Sequence, residues 1–466
     1  VPKISKWSAS YKKEANITFI IDINQQKTEY LSIRIIVNIS QSVKLLTEEN
    51  ITLKLETYLK IIIMKNLIKV FTMCAAAAFV LSSCEGPMGP AGKDGVDANE
   101  SCKLCHATTV DSVAVQFEHS MHAMGEAYEE GTRSTCAPCH SHQGFSYVVK
   151  NNTPVTFTIP AGGTKYANNY DITAANAVLP GPISCFTCHS SLHKTFTDED
   201  WTPLTTTAAV PMTMYGGSKT INFAKASGNL CAKCHQPRPV ATSATSSTGN
   251  IIDYAVLVSA PTATFTQVTP SYRTGVHYGT QSAMAAGVGA IEFGTGYTQS
   301  AHVAGASCNS CHMANPNGFG GGHSFSVVTS AEGATTPTYN FNGCNVAGCH
   351  TTMSATNTTF TGAVNDIKTL TTQLATKINA IGAGHDILQK DPVDNQYHGY
   401  FDIYDASANP TGYWKNPANG TPAFPTLTNA QFGAIINFQM VVRGGGLGVH
   451  NYPYIKKLLE NTLAAW

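Results

Sequence analysis

The sequence predicts a mainly α chain with extensive irregular loops and small β-hairpin insertions, wrapped around a core that the polypeptide does not supply alone. Three observations carry this expectation. The C-terminal 116 residues, 351–466, place apolar side chains at helical spacing. Two Thr-rich stretches, 153–160 and 218–224, alternate like short strands. Only 12% of the 466 residues are charged, Gly, Ala, Thr and Ser abound, and a short Cys/His pattern recurs six times. Such a composition suits loops and short helices wound about large rigid inserts.

The recurring pattern is two cysteines, a short spacer, and a histidine directly after the second cysteine. It reads Cys102-Lys-Leu-Cys105-His106, Cys136-Ala-Pro-Cys139-His140, Cys185-Phe-Thr-Cys188-His189, Cys231-Ala-Lys-Cys234-His235 and Cys308-Asn-Ser-Cys311-His312. A sixth copy is stretched by two residues: Cys344-Asn-Val-Ala-Gly-Cys349-His350. Cys-x-x-Cys-His is the attachment signature of c-type haem. Two thiols one helical turn apart share a face, so each can add to a vinyl group of one porphyrin. The adjacent histidine then sits under the ring as an axial iron ligand. Zinc sites and disulfides are the competing readings. Zinc does not require a histidine after every second cysteine, and here it follows in all six. The expected cofactors are therefore six covalently bound haem c groups, the stretched copy having a local disulfide as its alternative. The motifs use 12 of the 14 cysteines. Six porphyrins would supply much of the apolar core, so the expected fold wraps a covalent multihaem core.

Taken in order, residues 1–63 contain no methionine and are rich in Ile, Lys, Asn and Thr. They read as upstream sequence translated from a misplaced start. Residues 64–83 have a basic beginning at Lys65 and Lys69, an apolar run, and small residues at the end, as a signal peptide does. The run is short for a membrane span. Its end, Leu81-Ser82-Ser83-Cys84, resembles the lipobox of bacterial lipoproteins. That resemblance implies lipidation of Cys84, loss of Cys74 with the leader, and an anchor in the cell envelope. Residues 84–100 carry glycine at every third position from Gly86 to Gly95, a collagen-like period. The stretch is too short for a stable triple helix and reads as an extended tether.

Residues 101–350 form the expected hexahaem domain. Within it, 236–270 is Ser/Thr/Pro/Ala-rich and reads as a long loop. Residues 351–466 form a helical segment expected to pack on the haem core. Val364, Ile367, Leu370, Leu374, Ile378 and Ile381 fall on one helical face, with Gly382 as a stop. A second helix is expected over 429–442. A third opens at Pro453 and carries Ile455, Leu458, Leu459 and Leu463 on one face.

There are 16 histidines, and six follow the second cysteines. The ten others are His119, His122, His142, His193, His277, His302, His323, His385, His398 and His450. Six bis-histidine haems need six distal ligands. His142 is too near His140 to reach the same iron from the opposite side, so it would serve a neighbouring haem. Either His119 or His122 is expected to ligate.

Over 102–466 the chain resembles multihaem c-type cytochromes. His302 ahead of the fifth motif, Met313 after it, Gly320-Gly-Gly-His323-Ser-Phe325 and Gly448-Val-His450-Asn451 resemble the group that includes nitrite and hydroxylamine enzymes and their electron-transfer relatives. The resemblance implies distal roles for His302, His323 and His450, then His277 and His142.

The expected function is respiratory electron transfer along bis-histidine haems, with redox partner proteins or a quinol-linked donor, at the periplasmic or outward face of the outer membrane. The resemblance also raises a reductase or oxidase of nitrogen or sulfur oxyanions with one open haem. Against it, no Cys-x-x-Cys-Lys occurs, the variant motif such nitrite reductases often carry. A third expectation is a homo-oligomer or cytochrome filament, as in outer-surface hexahaem cytochromes. Removing the 11 basic and 6 acidic residues of 1–83 from the 29 of each leaves 18 basic and 23 acidic, a net of −5. No basic patch argues for nucleic acid.

Overall fold

The computed structural model describes residues 18–23, 33–38, 108–133, 136–150, 157–158, 167–168, 181–189, 204, 209–214, 219–237, 252–331, 336–415, 417 and 420–466. The first motif (Cys102, Cys105, His106), Cys84 and His193 lie outside these residues. So do the expected signal peptide and tether. The chain divides into two units, Val1–Asp97 and Ala98–Trp466. In the first, Thr18–Ile23 pairs antiparallel with Ile33–Asn38.

The second unit has an apolar core built largely by its C-terminal helices. Thr358–Asn379 begins at Asn357, whose side chain accepts from the Thr359 N–H, and buries Val364, Ile367, Leu374 and Ile378. Asn429–Gly444 begins with a reciprocal capping box between Thr428 and Gln431. This helix is buried almost all round, with Phe432, Ile435, Ile436, Phe438 and Met440 in the core, as a central helix must be. Tyr452–Ala464 starts at a proline and buries Tyr454, Ile455, Leu458 and Leu459. These three helices pack against one another.

Buried polar residues of this central helix are paired. Asn437 is fully buried; its Oδ1 accepts from the Ile291 N–H at 2.7 Å, and its Nδ2 donates to Ile291 O and Thr462 Oγ1. A hairpin closes another side, Val210–Met214 pairing with Lys219–Phe223. Met212, Met214, Ile221 and Phe223 turn inward from it.

Within the stretch read as a loop, Tyr254–Ser259 is helical. The cause is local and tertiary together: Asp253 accepts from the Val256 N–H, and Leu257 is fully buried. Phe265 then stacks on Phe432 with ring centroids 3.8 Å apart. Six residues are too few for a helical period to declare itself in sequence.

Two further hairpins in this unit pair Phe157–Thr158 with Ala167–Asn168 and Leu388–Lys390 with Tyr397–Phe401. Between residues 290 and 350 the described residues form mostly turns and single helical turns, tied by hydrogen bonds such as Thr329 N–H to Thr338 O and Asn340 N–H to Val327 O. No described helix is long and apolar enough to cross a membrane.

Candidate metal-binding cavity

Most of the described motifs fold into short helical turns. Ala137–His140, Cys185–Cys188, Gly228–Ala232 and Cys308–His312 cover four of them. Ser184 and Ser307 cap the turns of the third and fifth motifs, each in a reciprocal pair with the residue three positions on. The turn brings the histidine back over the first cysteine: His140, His189 and His235 donate their N–H to the carbonyls of Cys136, Cys185 and Cys231 at 3.1, 2.8 and 2.9 Å. The stretched copy reaches the same closure without a helix. His350 N–H meets Cys344 O at 3.1 Å, Gly348 absorbs the extra length at φ 85°, and the Asn345 side chain ties to the Met353 backbone. No described cysteine forms a disulfide.

All ten described motif cysteines line one cavity of ≈ 2880 Å³. A single small-molecule site occupies about 300–1,000 Å³, so this volume suits several large groups. Eleven histidines line it too: His119, His122, His140, His189, His235, His277, His302, His312, His323, His350 and His450.

Ten of these eleven stand in pairs. Ring centroids are 6.0 Å apart for His122 and His235, 6.0 Å for His140 and His277, and 6.1 Å for His189 and His323. They are 6.1 Å apart for His302 and His350, and 6.3 Å for His312 and His450. Aromatic pairs in direct contact range over about 4.5–7 Å, so distance alone does not decide what these pairs are. Their composition sets them apart. Each of the five joins a motif histidine to a non-motif histidine, and no histidine appears twice.

The spacing also has a coordination reading. A metal–imidazole bond is about 2.0–2.1 Å, and a five-membered ring with ~1.33 Å bonds has a radius of about 1.1 Å. Two imidazoles on opposite sides of one metal therefore have centroids about 6.2–6.4 Å apart.

The outer nitrogens agree with that reading. His140 Nδ1 donates to Ala127 O at 2.9 Å, His277 to Tyr278 O at 2.6 Å, His302 to Val449 O at 3.0 Å, and His312 to Phe325 O at 2.7 Å. A carbonyl only accepts, so Nδ1 carries the proton and Nε2 keeps the lone pair. Metal-ligating histidines characteristically anchor their second nitrogen in this way. Burial holds His122 and His450 neutral, each with its pKa lowered to about 4, and the facing His235 and His312 add to the effect. His235 and His323 are lowered too, chiefly by burial. Neutral imidazole is the ligating form. Burial also raises the Cys188 and Cys311 thiols to about 11.

The remaining histidines differ. His142 Nδ1 meets Thr187 Oγ1, inside the third motif, at 2.9 Å. His119 sets its ring edge against Phe319 at 5.2 Å. His385 and His398 direct Nε2 to Asp402 and Asp394 at 3.3 and 2.8 Å, and neither lines the cavity.

The motifs abut. The Cys139 and Cys234 thiols hydrogen-bond, as do those of Cys231 and Cys308. Cys188 of the third motif lies close enough to Cys231 and Cys234 to act on both. Gly228 makes one approach possible, because a Cβ there would lie 2.6 Å from Ser307 Oγ and 3.1 Å from Cys308 Sγ. Gly343 does the same between the sixth motif and the fifth, with Ser310 O 2.4 Å from its would-be Cβ. Gly446 plays this part for a histidine: its φ is 72°, and a Cβ would meet His450 Cε1 at 2.8 Å.

The residues present thus fit iron porphyrins attached through paired thiols and held between two imidazoles. No family model, curated protein or solved structure matches this chain.

Proposed function

We propose that the chain is a hexahaem c-type cytochrome that carries electrons for respiration in a bacterial envelope, anchored by lipid on Cys84 and probing partners from there as a carrier rather than a catalyst. Haem bound at these sites supplies reversible one-electron exchange at iron. The observation that carries the proposal is the histidine pairing. All five described motif histidines are faced by a second histidine at 6.0–6.3 Å.

Haem iron at these sites would be held between the motif histidines and His122, His277, His302, His323 and His450, which would keep substrate from the metal. The carbonyls that accept from Nδ1 orient the rings and make them stronger donors. The apposed thiols of the second, fourth and fifth motifs bring neighbouring attachment edges together, which short electron hops require. The redox partner is a periplasmic protein or a quinol-linked donor, and the expected site is the outer membrane.

The test is spectroscopic. Protein matured in a host that attaches haem c is expected to be low-spin in both oxidation states and inert to CO. A substantial high-spin fraction with CO binding would favour an oxyanion reductase, which nitrite, hydroxylamine and tetrathionate turnover with reduced viologen would then identify.

A further inference from the structure

We propose that Phe325 is a positioning residue shared by three of the metal sites, fixing their axial ligands relative to one another. The inference rests on the haem reading above.

The residue closes the run Gly320-Gly321-Gly322-His323-Ser324-Phe325. Gly322–Ser324 forms a single tight turn. Gly321 and Gly322 take φ 92° and 56°, and a Cβ on Gly321 would lie 2.5 Å from Ala314 O. The turn is tied down from several sides. Gly322 N–H donates to Ala314 O at 2.9 Å, Gly321 N–H to Ser326 O at 2.7 Å, and His323 N–H to Gln116 Oε1 at 3.0 Å.

Phe325 itself has φ 54° and ψ 7°, a left-handed conformation that bulky L-residues rarely adopt. Such a conformation persists only where surrounding structure over-determines it, and it concentrates at functional sites. Here the surroundings are three metal sites. The Phe325 ring meets His122 at 5.0 Å and His323 at 5.7 Å, edge-on at 71° and 66°. Its carbonyl accepts from His312 Nδ1 at 2.7 Å. His122 faces His235, His323 faces His189, and His312 faces His450. One residue therefore touches an axial ligand of the third, fourth and fifth motifs by two distinct means.

The ring and the backbone do different work. The ring blocks rotation of two distal imidazoles about their Cα–Cβ bonds. The carbonyl fixes the plane of a proximal imidazole and increases its donor strength. A left-handed backbone is what lets ring and carbonyl face the three ligands together.

Three variants separate these roles: Phe325→Leu, Phe325→Gly and Phe325→Tyr. Gly accepts the backbone conformation without strain, so it tests loss of the ring in a chain able to fold. Tyr keeps the ring. Haem content is measured first, by pyridine haemochrome and intact mass. Wild-type protein lacking haem would defeat the preceding proposal, and this one with it, before any variant is made.

With six haems present, electron paramagnetic resonance and a redox titration are read for each variant. The Leu and Gly variants are expected to keep six haems yet shift the low-spin signals and potentials of three, leaving the other three in place. The Tyr variant is expected to restore the wild-type values. Unchanged signals and potentials in the Leu and Gly variants, with only thermal stability lowered, would overturn the proposal. So would an equal shift of all six, because that describes general loosening.

Discussion

With haem bound as proposed, replacing His450 with alanine is expected to turn one of six low-spin haems high-spin and to create a CO-binding site. Two features make this the most sensitive of the distal histidines. First, His450 lies behind Gly446, whose missing side chain is what admits the ring. Its Nδ1 is buried without a hydrogen-bond partner among the described residues, so metal ligation is the interaction that would hold it. Second, its pairing with His312 joins parts of the chain well over a hundred residues apart. A cross-link closing a loop of that length is worth about 5 kcal/mol on the chain-entropy account. A coordinate bond that opens in the unfolded state contributes less. A loss of roughly 2–4 kcal/mol in denaturant unfolding is therefore expected, together with the spectral change. His450→Met is the informative control: thioether ligation is expected to keep the site low-spin and raise its potential. Unchanged spectra in the alanine variant would remove His450 from the ligand set.

Gln439→Leu is expected to destabilise the fold by about 3–5 kcal/mol and to loosen a metal site that the side chain never touches. Gln439 is fully buried on the central helix. Its Oε1 accepts from Val276 N–H at 3.0 Å, and its Nε2 donates to Thr274 O at 3.0 Å and to Gly399 O. Leucine keeps most of the volume and supplies none of these bonds. The three backbone groups are then left in a dry core, at about 1–3 kcal/mol each before relaxation. The loop they hold runs directly into His277, the partner of His140. Gly275 in that loop has φ 138°, and a Cβ on it would collide with the Gln439 amide, so the fit tolerates no drift. Arg443 donates to Val276 O and to His398 O and would partly hold the loop. Denaturant titration reads the stability loss, and a partial high-spin signal reads the displaced His277. A variant as stable as wild type would show that the central helix does not position this ligand.

The sequence made the proximal half of each proposed site legible, because haem attachment would fix the spacing of Cys, Cys and His. The distal half was legible only as a pool of candidates. His122 meets His235 and His189 meets His323 across more than a hundred residues, and no local spacing encodes such a match. His119 was as good a candidate as His122; it lines the same cavity with its ring against Phe319, while the first motif lies outside the described residues. His142 was expected to reach a neighbouring haem; its Nδ1 engages Thr187 of the third motif.

The C-terminal helices announced themselves through their 3.6-residue period. Their polar members did not. Asn437 and Gln439 would each pass in sequence for a solvent-facing residue, and both are fully buried and hydrogen-bonded. In sequence, Phe325 only closes the glycine-led His-Ser-Phe run that resembles the multihaem group. Its importance lies in a backbone angle and three neighbours that only the folded chain brings together.

The most direct test of this account is the intact mass of the purified mature protein from a host with working cytochrome maturation, measured under denaturing conditions. The account predicts a coloured protein heavier than its amino acids by six haems, the stretched Cys344–Cys349 motif included. A colourless chain, or one weighing no more than its polypeptide, would contradict it.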